Sequence, residues 1–537
     1  MISHANHYST ASRASRIANA ARLILVLLCV IAGTRGAFAQ TSTTTTPIKH
    51  LIVIYQENVS FDHYFATYPR ALNPPGDPEF RARPGTPNVN GLSGSLLTNN
   101  PNSTQPFRLP RSRAATCDQG HEYRAEQEAY NRGLVDRAVE STGTGEKTAS
   151  GKTQCSASDV MGYFDGNTVT ALWNYAQSFA MSDNHFGTTF GPSTPGAINL
   201  VSGQTHGAKG DCALAPRSME CKVTPDSLSL KFGVEIIAGT MIGDPQPQFD
   251  DCSTRDTAEM SGLNVGDLLS AKKVSWGFFE GGFKPTATHD GRARCGAKHV
   301  GSDGEMKADY IPHHQPFQYY KSTANPKHLP PSSVEMIGRN EDQANHQYDL
   351  LDFWDAAEIG NVPAVTFLKA PAYQDGHAGY SDPLAEQRFV VETVNRLQRL
   401  PQWQDMAIVI AYDDSDGWYD HVMPPIVRHS NTEEDALTGP GQCGDSLDKM
   451  SPGRCGFGPR LPLLILSPWA KENFVDSTLT DQTSILRFIE DNWQVGRIGY
   501  GSADEFSGSL LEMFDFSKRR KVRLILDVET GRRVDGE

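Results

Sequence analysis

Ile48-Lys49-His50-Leu51-Ile52-Val53-Ile54-Tyr55-Gln56-Glu57-Asn58 is the stretch on which the reading of this chain turns. From Leu51 to Tyr55 it is apolar without alternation and rich in β-branched residues. That pattern suits a strand buried on both faces, as in a parallel sheet. Comparable runs recur at Pro363–Leu368 (PAVTFL), Met406–Ala411 (MAIVIA) and Leu461–Leu466 (LPLLIL). Helical patterns lie between and after them. Gln387–Leu400 carries Phe389, Val390, Val394 and Leu397 at helical spacing, and Asp481 is expected to cap a helix over Ser484–Trp493. A closing strand is expected over Val522–Val528. Strands alternating with helices predict an α/β fold, a mostly parallel central sheet flanked by helices. The Pro-, Asn-, Gly- and Arg-rich stretch at 72–116 reads as a long surface insertion, as do 210–260, which holds three cysteines, and 322–333.

Two of the buried runs end in acidic pairs, Glu57-Asn58 and Asp413-Asp414. In open α/β sheets, ligands bind beyond the carboxyl ends of the strands. Three carboxylates gathered there repel one another unless a cation joins them. The all-oxygen donor set suits one divalent ion, Mg, Ca or Mn, and zinc also accepts carboxylates. The plainer alternative is that these side chains cap loops at strand ends. Ser193 lies in Phe190-Gly191-Pro192-Ser193-Thr194-Pro195-Gly196-Ala197, a loop expected to open a helix with Pro195 at its first position. Helix N-termini hold phosphate, and a serine bound to a metal can attack without a histidine base. A helix-capping serine is the competing reading. His121, His313-His314 and His377 sit in polar, loop-like sequence. Protonated imidazoles hold phosphoryl oxygens or protonate a leaving alcohol, but each histidine taken alone reads as a surface residue.

The chain has 537 residues, 38% hydrophobic and 21% charged, which is enough to bury a large core and excludes a disordered or fibrous protein. Its net charge of −14, with no long basic run, argues against nucleic-acid binding. Only the N-terminus approaches spanning length. There Arg13, Arg16 and Arg22 precede Leu23–Ile31, and Ala37-Phe38-Ala39 follows. Basic region, short apolar run and small-residue cleavage site predict a signal peptide over 1–39, then one catalytic domain over 40–537. The mature protein is expected in the periplasm or outside the cell, without stable membrane insertion. Eight cysteines remain after the leader. An exported chain with an even count points to disulfides, and the short loops Cys212–Cys221 and Cys443–Cys455 are the pairs expected.

Taken together, these residues resemble the bacterial phosphoesterase family of phospholipases C and acid phosphatases, within the alkaline-phosphatase-like superfamily. Glu57-Asn58-Val59-Ser60-Phe61-Asp62-His63-Tyr64-Phe65 is similar to the family's E-N-R-S-F-D-H-Y-F, with Val59 in place of arginine. Asp413-Asp414-Ser415-Asp416-Gly417-Trp418-Tyr419-Asp420-His421-Val422 resembles its D-E-H-G-G-F-Y-D-H-V block, and Asp481–Glu490 its late helix. The resemblance implies that Glu57, Asn58, Ser193, Asp413 and Asp414 hold one divalent metal ion. It implies Ser193 as the nucleophile, and His121, His314 and His377 as phosphate-contacting or acid/base residues.

Departures from the pattern point within the family. The phospholipases usually carry threonine in a G-P-T-D-P or G-P-T-N-P loop, whereas Ser193-Thr194 stands here, and Asp414-Ser415-Asp416 departs from their E-H-G. Both changes resemble the secreted acid phosphatases. A sulfatase is disfavoured because Ala197 stands where its C/S-x-P-x-R motif has arginine. The expected function is hydrolysis of phosphomonoesters through a phosphoserine, with charged imidazoles favouring mildly acid pH. The alternatives are a phospholipase C acting on phosphatidylcholine-type lipids and a non-catalytic exported metal- or phosphate-binding protein. The lipase would need an aromatic choline cage, for which Trp418, Tyr419 and Trp276-Gly277-Phe278-Phe279 are the candidates.

Overall fold

The computed structural model describes Met1 and residues 43–145, 155–211, 236–237, 239–427, 437–439, 442–443 and 456–534. Thr44–Glu537 forms one compact unit. The expected signal peptide, Met1 apart, and the cysteine pairs Cys212–Cys221 and Cys443–Cys455 lie outside the described residues, where only Cys443 of those four is placed. The described disulfides join Cys117 to Cys155 and Cys252 to Cys295. Among the described residues, no helix is long and apolar enough to cross a membrane.

The run at 48–58 forms β1 (His50–Gln56) at the centre of an eight-stranded sheet. The other strands, in chain order, are β2 (Ala180–Ser182), β3 (Trp276–Glu280), β4 (Gln347–Asp349), β5 (Val365–Lys369), β6 (Met406–Tyr412), β7 (Leu463–Leu466) and β8 (Phe474–Asp476). Their spatial order is β4-β3-β5-β1-β6-β7-β2-β8. β1 pairs in parallel with both β5 and β6, which explains why its apolar run does not alternate. The α/β expectation of a mostly parallel sheet holds, with one exception. β7, the LPLLIL run, is antiparallel to β6 and to β2. An apolar run encodes burial on two faces and says nothing of direction.

Four helices matter for the site: α1 (Tyr123–Tyr130), α2 (Ser193–Ser202), α3 (Pro383–Leu397) and α4 (Thr483–Trp493). Val390, Val394 and Leu397 of α3 and Ile485 and Ile489 of α4 bury into the main core, as their spacing predicts. Three local expectations are corrected. α2 begins at Ser193, so Pro195 is its third residue; the first turn needs no internal N–H donor there. The cap residue of α4 is Gln482, whose side chain makes no capping bond, while Asp481 accepts from the Thr483 hydroxyl at 2.8 Å and from the Thr483 N–H at 3.4 Å. Val522–Val528 is not a strand. Asn395 on α3 and Gln398, the helix's C-terminal cap residue, bond that segment's backbone at Leu526 and Leu524 instead, so side-chain amides satisfy groups a sheet neighbour would otherwise pair.

Candidate active site

The register of the sheet assembles the site. Gln56, the last residue of β1, pairs with Tyr412, the last of β6, so Glu57-Asn58 and Asp413-Asp414 leave neighbouring strands at one level. β5 ends beside them: Leu368 pairs with Ile54, and Lys369 follows. α2 then brings its first residue to the same point. Its close approach depends on Gly196, where a Cβ would overlap the Asp413 carbonyl oxygen.

Ser193 is 2% exposed, and its Oγ lies 3.1 Å from Glu57 Oε2, 3.3 Å from Asn58 Oδ1 and 3.2 Å from Asp414 Oδ2. One hydroxyl proton cannot serve three acceptors. Asp413 Oδ1 takes the Asn58 N–H at 2.9 Å and the Asp414 N–H at 2.8 Å, which locks the two strand ends together. Its other oxygen, Oδ2, is buried without a hydrogen-bond partner among the described residues. Burial, then the neighbouring Asp413, pushes both Glu57 and Asp414 well above the usual carboxylate range. Five oxygen donors converge, one buried oxygen is orphaned, and three carboxylates crowd together. These features fit one divalent cation.

Positive charge is also built into the site, where no sequence signal marks it. Lys369, 1% exposed, pairs its ammonium with Glu57 Oε1, and His314 Nδ1 lies 3.3 Å from the same oxygen. Burial would lower the Lys369 pKa, but Glu57, Asp413 and Asp375 outweigh it and hold the ammonium charged.

The three histidines do not share one charge state. His121 Nδ1 lies 2.9 Å from the Gln119 carbonyl oxygen and 3.2 Å from Asp416 Oδ1. Burial opposes its charge, yet Asp414, Asp416 and Asp118 raise its pKa well above the usual value. His314 is held well below it by burial and then by Lys369, and His377 is lowered by burial. Only His121 of the three is therefore held as an imidazolium in the free protein, against the expectation of charged imidazoles throughout. The rings of His121 and His377 are 5.9 Å apart.

Glu126 on α1 ties the loop before Ser193 to the carboxylate loop. It accepts the Gly191 N–H at 2.9 Å with one oxygen and the Ser415 hydroxyl at 2.5 Å with the other. Burial pushes its pKa up to about 7. Glu126→Ala is expected to lower kcat by about a hundredfold through misplacement of Ser193, with a stability loss of roughly 2–6 kcal/mol from two unpaired donors. Glu126→Gln, which keeps one acceptor, should fall between. Steady-state kinetics beside thermal melts test this; unaltered kcat in the alanine variant would remove Glu126 from the positioning frame.

Other charged clusters have their own explanations. Asp62, Asp420 and His421 surround the buried Arg460 guanidinium, 3.1 Å from Asp62 and 3.0 Å from Asp420, so that group is already neutralised. The aromatics considered for a choline cage are packing residues. Trp276, Phe278 and Phe279 belong to buried β3, Trp418 stacks on His63 at 3.9 Å, and the Tyr419 hydroxyl accepts from Asn100.

The model of the phosphoesterase family matches residues 48–496. Non-hemolytic phospholipase C of Burkholderia pseudomallei is 24% identical over 462 residues, 83% of this chain and 55% of that protein. The chain thus spans little more than half the length of that relative. Non-specific phospholipase C6 of Arabidopsis thaliana is 23% identical, over 87% of this chain and 70% of its own. Among solved structures, a protein of the alkaline phosphatase superfamily from Vibrio parahaemolyticus aligns over 87% of this chain and 75% of its own at 11% identity, with a TM-score of 0.26.

Proposed function

The chain belongs to the phosphoesterase family, and from that premise we propose that it is an exported phosphatase that hydrolyses phosphomonoesters through Ser193. The observation that carries the reading is the Ser193 hydroxyl enclosed by Glu57, Asn58 and Asp414 at 3.1–3.3 Å. Glu57, Asn58, Ser193, Asp413 and Asp414 would hold one divalent ion (Ca, Mg, Mn or Zn), which when bound supplies Lewis-acid polarisation and favours the alkoxide form of the serine.

The rest of the chemistry belongs to the chain. Ser193 Oγ forms a bond to phosphorus while the bond to the alcohol oxygen breaks, leaving a phosphoserine that water then cleaves. The His121 imidazolium holds charge on the phosphoryl oxygens and gives a proton to the departing alkoxide. The one N–H of a neutral His377 is already given to the Ala378 carbonyl oxygen at 2.6 Å, and His314 Nδ1 lies 3.3 Å from the Glu57 carboxylate, so each ring donates to a phosphoryl oxygen through Nε2 only once it is protonated. The Lys369 ammonium opposes the rise in the Glu57 pKa and so favours its ionised, oxygen-donating form.

Preference for monoesters is supported by the engagement of the candidate cage aromatics in packing. The second reading, a phospholipase C, is favoured by the names of the curated relatives. Paired hydrolysis of p-nitrophenyl phosphate and p-nitrophenyl phosphorylcholine, with divalent metal added and from acid to neutral pH, separates them. A higher kcat/KM on the monoester is expected. The reverse preference would move the assignment to phospholipase C. Failure on both, with metal present, would favour the exported binding protein.

A further inference from the structure

Lys307 lies on a hairpin, Lys298–Val300 paired with Met306–Ala308, that contributes none of the groups described above. Its ammonium sits 4.0 Å from the centroid of the Tyr380 ring. Among the described residues, no carboxylate lies within ion-pairing distance of it. Tyr380 in turn is fixed against the site. Its ring stacks on His377 at 4.5 Å and its hydroxyl donates to Asp375 Oδ2 at 3.1 Å. Asp375 also accepts the His377 N–H at 3.0 Å, and its carbonyl accepts the Glu57 N–H at 3.0 Å. An ammonium, a phenol ring and the imidazoles of His377 and His121 therefore follow one another from the hairpin to the centre. Lys307 and Tyr380 are both half-buried. The field of Lys307 reaches His313, His314 and His377.

We propose that Lys307, seated on Tyr380, is the residue that sets headgroup charge: it draws in phosphate dianions and excludes quaternary ammonium esters. This deepens, and rests on, the phosphomonoesterase reading. An aromatic face is what recognises a trimethylammonium group, and here the chain's own cation already occupies it. A choline ester would have to displace or abut that ammonium, and like-charge juxtaposition is a means of rejecting the wrong ligand. The same charge favours a monoester dianion over a singly charged diester, because a cation attracts the more highly charged anion more strongly.

The test uses the full chain as purified, with Lys307→Met and Lys307→Arg, assayed on p-nitrophenyl phosphate and p-nitrophenyl phosphorylcholine at fixed ionic strength. Calorimetric titration with inorganic phosphate gives a readout independent of turnover. In Lys307→Met the monoester KM and the phosphate dissociation constant are expected to rise about tenfold with little loss of kcat. The phosphorylcholine KM should fall, and Lys307→Arg should keep the wild-type ratio. A merely structural lysine would weaken both substrates alike. An unaltered ratio and phosphate affinity in Lys307→Met, in a wild type that prefers the monoester, overturns this proposal and spares the phosphatase reading. A wild type that prefers the phosphorylcholine ester overturns both. Should the methionine variant not fold, the salt dependence of the wild type decides: the monoester KM should rise with salt and the phosphorylcholine KM should not, and equal dependence overturns the proposal.

Discussion

Ser193→Ala is expected to lower kcat on p-nitrophenyl phosphate by roughly four orders of magnitude or more, the scale at which loss of a covalent nucleophile registers. The geometry leaves little room for a substitute. Ser193 Oγ is the hydroxyl that the three oxygens of Glu57, Asn58 and Asp414 surround, and it stands at the first turn of α2. Thr194, its neighbour, is turned away: its N–H donates to Asp244 and its hydroxyl lies 3.3 Å from that of Tyr319. The change removes one oxygen and adds no bulk, so the fold should survive with a loss of about 1 kcal/mol, that of one hydrogen bond. Unchanged circular dichroism and a near-native melt would separate chemistry from folding. Acid quench with labelled substrate supplies the decisive readout. The wild type should carry phosphate on the peptide containing Ser193, and the variant none. A variant retaining a tenth of the activity would mean that water, not Ser193, attacks phosphorus.

How far the sequence predicts this arrangement depends on the physical signal each part leaves. Burial on both faces of a strand writes itself as an unbroken apolar run, so β1, β5, β6 and β7 are legible. Direction is not, so the apolar run of β7 looks the same as those of the parallel strands although β7 is antiparallel to both its neighbours. β2, β4 and β8 are three residues each, too short for any periodicity. β3 was legible in principle, but its aromatics, Trp276, Phe278 and Phe279, read equally well as ligand-facing.

At the site, acids at the ends of two buried strands are a physical signal, and the resemblance to a family adds Ser193 and the histidines. Lys369 stands one residue past the expected end of its strand, where a lysine ordinarily reaches solvent. Only the pairing of Leu368 with Ile54 reveals that it ends beside Glu57. Glu126 sits among Arg124, Gln127 and Glu128 on α1, a polar stretch in which nothing marks the inward carboxylate. The charge states of the histidines depend on neighbours from distant segments. Asp416 and Asp118 reach His121, and Lys369 reaches His314, so no local reading contains them.

Lys369→Met should have the largest effect on stability, and the size of that effect should depend on metal. The wild-type ammonium is buried among Glu57, Asp413 and Asp375, with the Tyr55 ring 5.6 Å away. Removing one partner of a buried ion pair leaves the other charge unsolvated, a loss of about 3–5 kcal/mol. Part of it can be avoided if Glu57 takes up a proton, which its raised pKa already favours. A divalent ion held by the same carboxylates offers the missing charge in another form. It stabilises the folded state by RT ln(1 + [L]/Kd), about 4 kcal/mol at a thousandfold excess over Kd. With more uncompensated negative charge, the variant should gain more from the ion than the wild type does. Urea unfolding of both proteins in EDTA and in saturating metal measures this directly. The expected result is a wide gap between them in EDTA that narrows when metal is added. Equal gaps in the two conditions would mean that Lys369 and the metal do not share the charge of Glu57, and that the lysine is a structural pair independent of the site.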